Sequence, residues 1–294
     1  MNDYLVKSII DGGNFRAYAV RSTGVVAEAQ RRHDTWSASS AALGRTLTAS
    51  LLLGTSLLKG QETMTVKVAG DGPAKGIVVD ADANGIVKGY IIDPHVHLPL
   101  NEAGHIDVGG AVGHNGFLSV TKNLGLDQPY TGQVGLVSGE IGDDFTYYLA
   151  QSEQIPSAVG VSVFVENDNT IGVAGGFMIQ VLPGADDQAI SQLEQSLKDM
   201  PLVSQLLRDG KTPEDILTDL FGESRVNILE KVPVAFQCDC SKARFATDLS
   251  SLPAHELQAM IDEDHGAEAV CRFCGNRYKF SEADLAAIIT EQQA

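Results

Sequence analysis

The sequence predicts an α+β protein: an N-terminal domain of largely antiparallel sheets with packed helices, a helical connector, and a small C-terminal domain built around cysteines. Three observations carry this expectation. Strand-like segments dominate residues 63 to 182, the hydrophobic period becomes helical after Pro183, and all four cysteines lie beyond Gln237. The regular alternation of strand and helix that a doubly wound parallel sheet requires is missing. The expected boundaries are 1–183 for the core domain, 184–231 for the connector and 232–294 for the C-terminal domain.

In the core domain, apolar residues between Tyr4 and Val26 alternate in short runs, Gly12 and Gly13 sit where a hairpin would turn, and FRAYAV reads as a strand. His33 to Lys59 has no proline, is rich in Ala, Leu, Ser and Thr, and stops at Gly60, which predicts one long helix. Its small residues suit close packing on a sheet, and Trp36 is expected to contribute packing rather than chemistry. The segments MTVKVAG, GIVVDAD, VKGYIID, YYLAQS, AVGVSVFVE and FMIQVLP then read as strands between Gly, Asn and Asp turns.

In the connector, Ile190, Leu193, Leu197 and Met200 share one helical face. A second helix is expected from Thr212, with Pro213 in its first turn and Asp215 three residues beyond the Thr, close to a capping box. Ile216, Leu217, Leu220 and Phe221 give it an apolar face before Gly222. These faces are expected to be core. The C-terminal domain should contain a helix over HELQAMIDED, a hairpin at CRFCGNRYKF and a final helix capped by Ser281 with Asp284. A segment this short, with few large apolar groups, needs a staple to fold.

Charge excludes some partners. The chain carries a formal net charge of -17. Residues 1–100 hold ten Lys and Arg against nine Asp and Glu, a net of +1, so the acidity belongs to the remainder, at -18. Such a surface is unsuited to nucleic acid, whose phosphates are bound by clustered Lys and Arg. MNDYLVKSIIDGGNF lacks the features of a secretory signal, and LTASLLLGTSLL, at residues 47–58, falls short of the roughly 20 residues that span a bilayer. A cytoplasmic location without membrane contact is the expectation. In that reducing compartment, clustered cysteines act as metal ligands or redox sensors more readily than as permanent disulfides.

Cys238 and Cys240 are followed, after a 30-residue gap from Ser241 to Val270, by Cys271 and Cys274. Two close pairs of soft ligands fit one zinc ion held by four thiolates, and Gly275 permits the tight turn of a zinc knuckle. A thiol-only redox pair and an iron–sulfur cluster are the remaining readings of the spacing. A closed ribbon that merely holds the domain together would leave no position for a reactive water, so hydrolysis is disfavoured. Thiolates are, however, the oxidisable form of cysteine, and each has a neighbour within two or three residues. Zinc would cross-link the two pairs over a long loop. Disulfides inside each pair would close only short loops, so oxidation would exchange an organising link for two minor ones.

The chain resembles the heat-shock protein 33 family of redox-regulated holdase chaperones over essentially its whole length. The resemblance rests on RAYAV, ALGRTLTASLLLG, GDGPAKGIVVDA, PYTG, EQIPSAVGVSV, GGFMIQVLPG, FQCDCS and CRFCGNRYKF, in that order. It implies a non-enzymatic, cytosolic stress-response protein that is inactive when reduced, with one zinc per chain on Cys238, Cys240, Cys271 and Cys274. It implies that oxidants form the disulfides Cys238–Cys240 and Cys271–Cys274, expel zinc and loosen the connector. The exposed apolar surface would then bind unfolding client proteins without ATP, typically as a homodimer. No G-x-x-x-x-G-K-[ST] loop occurs, in keeping with ATP independence. Ala243 stands where an acidic residue is common in the family, and Gly275 where Asn is frequent; neither change removes a ligand.

Other motifs read more plainly. Asp93, His95 and His97 in DPHVHLP could suggest a metallohydrolase, but no accompanying ligand set is evident, and His105 and His114 lie in glycine-rich surroundings. GDGPAKG lacks the spacing of a dinucleotide fingerprint and is expected to be a turn. The alternatives to a redox-switched holdase are a zinc-dependent enzyme of another class and a constitutive zinc-ribbon interaction module.

Overall fold

The computed structural model describes residues 2–292 and divides into two compact units, one running to Gln237 and the other starting at Cys238. In the first unit, β1 (Tyr4–Ile10) and β2 (Phe15–Arg21) form the hairpin that Gly12 and Gly13 suggest. Two helices follow, α1 (Thr23–His33) and α2 (Ser37–Leu57). The single helix expected from His33 thus has a predecessor. Its start is hidden from local reading because Ser22 makes no cap; the carboxylate of Asp3 accepts the Val25 N–H instead, at 2.8 Å. Asp34, at φ 52, ends α1 in a left-handed cap and separates it from α2.

The strands β3 (Thr63–Ala69), β4 (Ile77–Asp82) and β5 (Ile86–Ile91) lie where expected. A short helix, α3 (Val108–Val112), precedes β6 (Phe117–Asn123) and β7 (Tyr130–Gly135), neither of which the sequence reading identified. YYLAQS is not a strand: it lies in α4 (Gly142–Gln151) and the residue that ends it. Asp144 accepts N–H groups from Val137 and Ile141 at the start of α4, and Phe145, Tyr148 and Leu149 are buried at helical spacing. Two long strands complete the core, β8 (Ser157–Val165) and β9 (Ile171–Val181).

After β9 come α5 (Asp187–Asp199), α6 (Val203–Arg208) and α7 (Pro213–Phe221). The cap of α7 is as anticipated, with the Thr212 hydroxyl accepting the Asp215 N–H and the Asp215 carboxylate accepting the Thr212 N–H. Helical structure gives way beyond this point to β10 (Val226–Pro233), which pairs antiparallel with β1, and to β11 (Ala235–Phe236). One sheet has the order β10-β1-β2-β9-β8; the other is β11-β5-β4-β3-β6-β7, antiparallel except for β11 against β5.

α2 is buried on nearly every side, as a helix between two sheets must be. Its Leu43, Leu47, Leu51 and Leu52 share one core with Leu5, Tyr18 and Met178 of the first sheet and Val66, Val79 and Val87 of the second. Gly44 permits this closeness, since a Cβ there would sit 2.6 Å from Cγ1 of Val26. Along β1 and β2 the side chains alternate, so Val6, Ile10, Phe15, Ala17 and Ala19 face the other way. They form a second core with Leu193 of α5, Leu206 and Leu207 of α6, and Ile216, Leu217 and Phe221 of α7.

The second unit contains α8 (Lys242–Leu249), α9 (Ala254–Asp262), the hairpin β12 (Gly266–Val270) and β13 (Arg277–Ser281), and α10 (Glu282–Gln292). The Ser281–Asp284 cap forms in both directions. The unit's apolar core is small. Its buried members are Leu257, Phe280, Leu285 and Ile288.

Candidate metal centre

Each cysteine pair reaches the site by a different local geometry. Residues 237–240 follow β11 outside any helix or strand, with Cys238 and Cys240 half-buried and Asp239 between them exposed. Cys240 directly precedes Ser241, whose hydroxyl accepts the Arg244 N–H and caps α8. Cys271 and Cys274 occupy the turn of the β12–β13 hairpin. There Gly275, at φ 72, donates its N–H to the Cys271 carbonyl at 2.8 Å, and Cys271 donates to the Asn276 carbonyl at 2.9 Å.

The four sulfurs lie within 4.8 Å of one another. Contacts cross between the pairs, with Cys238 Sγ 3.8 Å from Cys271 Sγ and Cys240 Sγ 3.2 Å from Cys274 Sγ. Cys271 and Cys274 are buried, while Cys238 and Cys240 are half-buried; none of the four is in a disulfide. Burial pushes the Cys238 thiol up to about 11 and raises Cys274 as well. Burial also opposes ionisation of Cys240, but the Tyr278 hydroxyl and the neighbouring thiols outweigh it and bring Cys240 down to about 7. Tyr278 is a site neighbour that the sequence reading did not find. Its hydroxyl lies 3.2 Å from Cys240 Sγ and donates to the Cys240 carbonyl at 2.9 Å.

This is the sole cluster of three or more His, Cys, Asp or Glu ligands among the described residues. Four sulfurs and no carboxylate make a donor set suited to a soft or borderline metal ion. DPHVHLP does not assemble a rival site. His97 Nδ1 bonds the Ser37 hydroxyl at 2.7 Å, His95 Nε2 lies 3.4 Å from Asp34, and Trp36 packs against His95 in a tilted arrangement with ring centroids 5.2 Å apart. GDGPAKG is a turn whose Asp71 carboxylate accepts the N–H groups of His114 and Asn115.

The sequence model of the Hsp33 protein family matches residues 3–281. The chain belongs to the Hsp33 family. It is 67% identical over 293 residues to the 33 kDa chaperonin of Lactiplantibacillus plantarum, covering 100% of this chain and 99% of the relative. It is also 67% identical over 294 residues to the 33 kDa chaperonin of Levilactobacillus brevis, with 100% of each chain covered. The crystal structure of the 33 kDa chaperonin of Thermotoga maritima, an Hsp33 homologue, superimposes with a TM-score of 0.93 at 35% identity, covering 100% of this chain and 99% of that one. Hsp33 relatives are named as chaperonins, not enzymes, which sets aside the enzymatic alternative. Chaperone membership implies binding of client proteins. No helix among the described residues is long and apolar enough to cross a membrane.

Proposed function

We propose that this Hsp33 protein is a redox-regulated, ATP-independent holdase of the cytoplasm, silent when reduced and loaded with one zinc on Cys238, Cys240, Cys271 and Cys274. The observation that carries the reading is the convergence of two separate cysteine pairs, with all four sulfurs within 4.8 Å. A zinc tetrathiolate with bonds of about 2.3 Å has sulfur–sulfur edges of about 3.8 Å. The Cys238–Cys271 separation of 3.8 Å matches such an edge, and the Cys240–Cys274 separation of 3.2 Å opens to it with a small side-chain adjustment.

When bound, zinc keeps all four sulfurs as thiolates and links the two pairs. The unit needs that link, because its buried apolar core amounts to Leu257, Phe280, Leu285 and Ile288. Structural zinc contributes about 10 to 16 kcal/mol in small finger domains, at least comparable to the about 6 to 12 kcal/mol from burying four such side chains. Oxidation removes the ligands. In each disulfide, Cys238–Cys240 or Cys271–Cys274, two thiolates give up two electrons to a hydroperoxide. The O–O bond breaks, a S–S bond forms, and two protons are taken up as hydrogen peroxide leaves as two waters.

On this reading, loss of order from Cys238 onward loosens the helical connector that precedes it. The apolar faces of α5 and α7, with the Val6, Ile10, Phe15 and Ile179 surface beneath them, are then the client-binding area, and oxidised chains pair as dimers. The test is peroxide treatment with mild heating, following zinc by a chromophoric chelator, free thiols by titration, and aggregation of a heat-denaturing enzyme by light scattering. One zinc and four thiols should be lost as aggregation becomes suppressed. Oxidised protein that keeps its C-terminal fold, or holds no client, would defeat the proposal. A constitutive interaction module would instead bind its partner only while zinc is present.

A further inference from the structure

Tyr278 stands on β13, four residues beyond Cys274, yet its hydroxyl reaches Cys240 on the other segment. The ring is well held. Its strand pairs with β12, Tyr278 facing Ala269, and it packs against Phe245 of α8 with centroids 5.3 Å apart. The hydroxyl therefore forms a link between the two cysteine segments that does not pass through a metal. Cys240 is half-buried, whereas its contact Cys274 is buried within the hairpin turn.

The hydrogen-bond arithmetic gives this link a direction. A tyrosine hydroxyl has one proton, and here two acceptors lie within reach: the Cys240 carbonyl at 2.9 Å and the Cys240 sulfur at 3.2 Å. A thiol at Cys240 can donate to the hydroxyl oxygen, leaving the phenolic proton to the carbonyl. A thiolate ligand cannot donate, so the phenolic proton is shared with the sulfur. In both cases the side chain and backbone of the same cysteine are fastened to one rigid group.

We propose that Tyr278 is a positioning residue of the four-thiol centre, its hydroxyl holding Cys240 as a ligand and so setting how firmly the centre keeps its metal. The inference rests on the tetrathiolate reading above. Partners that orient metal ligands in this way are worth about 10- to 100-fold in metal affinity.

The experiment compares full-length reduced protein with Tyr278→Phe, which keeps the ring and removes only the hydroxyl. Phe245→Leu serves as a control that disturbs the packing and leaves the hydroxyl. Competition with a chelating dye should show Tyr278→Phe binding zinc about 10- to 100-fold more weakly. Substitution with Co(II) reads the thiolates directly. Removing a hydrogen bond from a sulfur ligand makes it a better electron donor, so the sulfur-to-cobalt charge-transfer band should move to longer wavelength in Tyr278→Phe and stay in place in Phe245→Leu. Wild-type affinity in Tyr278→Phe, or an unshifted band, overturns the proposal while leaving the tetrathiolate intact. Failure of the wild-type protein to take up either metal would overturn the tetrathiolate reading itself.

Discussion

Tyr4 donates its hydroxyl to Oε2 of Glu214 at 2.7 Å, so the first strand of the chain holds the first turn of α7 directly. Lys231 of β10 pairs with the other carboxylate oxygen. Burial alone would raise the Glu214 carboxyl, but Lys231 and Tyr4 outweigh it and hold it below the ordinary 4.5. Burial and the adjacent carboxylate push the Tyr4 phenol up to about 12, so it remains a donor across the working range. A carboxylate with a lowered folded pKa contributes stability that is fully present above its unfolded value and lost as pH falls through the folded one. Tyr4→Phe should therefore cost about 1 to 2 kcal/mol at pH 7 and less at pH 3, read from urea-unfolding curves. A difference that ignores pH would show that the contact does not involve the charged carboxylate.

Leu217 and Ile216 are fully buried between α7 and the first sheet. Leu217→Ala leaves a cavity that costs about 2 to 5 kcal/mol, a large share of a typical domain's stability. The connector should then loosen without any oxidant. The reduced, metal-loaded variant is expected to bind a hydrophobic dye and to suppress part of the client aggregation that wild type ignores. A variant that is measurably destabilised yet holds no client when reduced would remove α7 and its bed from the client surface.

The legibility of this chain follows from how local each determinant is. The α7 cap lies within Thr212–Asp215 and the cysteine pairs within three and four residues, so both were readable. α1 was not, because its cap comes from Asp3, twenty-two positions before Val25. β10 straddles the expected connector boundary at 231, because what makes it a strand is its pairing with β1, from Tyr4 opposite Pro233 to Ile10 opposite Val226. YYLAQS deceived through its aromatic, β-favouring residues, while the Asp144 carboxylate that starts α4 lies upstream of them. Tyr278 was invisible as a site residue for the same reason as α1. Nothing in CRFCGNRYKF says that its tyrosine meets a sulfur 38 residues earlier.

Metal removal should act on one unit alone. Chelation in reducing buffer is expected to melt α8, α9 and α10, eight, nine and eleven residues long, while the two-sheet unit keeps its signal. The measurement is far-UV circular dichroism with limited proteolysis, which should trim the chain to near Gln237. Rebinding must displace protons, because Cys238, pushed up to about 11, is a thiol at pH 7. Apparent zinc affinity should consequently fall as pH falls, and zinc addition to weakly buffered apoprotein should acidify it. Cys240→Ser should lose most of the affinity at every pH. Retention of helical signal after complete chelation would show that the small apolar core suffices.

Gly275 provides a test of the hairpin turn that presents Cys271 and Cys274. Its φ of 72 lies in the left-handed region, and its N–H donates to the Cys271 carbonyl. Asn enters this region at little cost, a β-branched residue at a considerable one. Gly275→Asn should therefore keep one zinc and near-native affinity, whereas Gly275→Val should strain the turn by about 1 to 3 kcal/mol. If the strain is relieved by metal release, Gly275→Val should lose zinc at a lower peroxide dose than wild type, read by the chelator assay. Equal doses for the Val and Asn variants would mean that the turn tolerates a shift of its backbone without moving the two sulfurs, and that the hairpin geometry does not set the threshold.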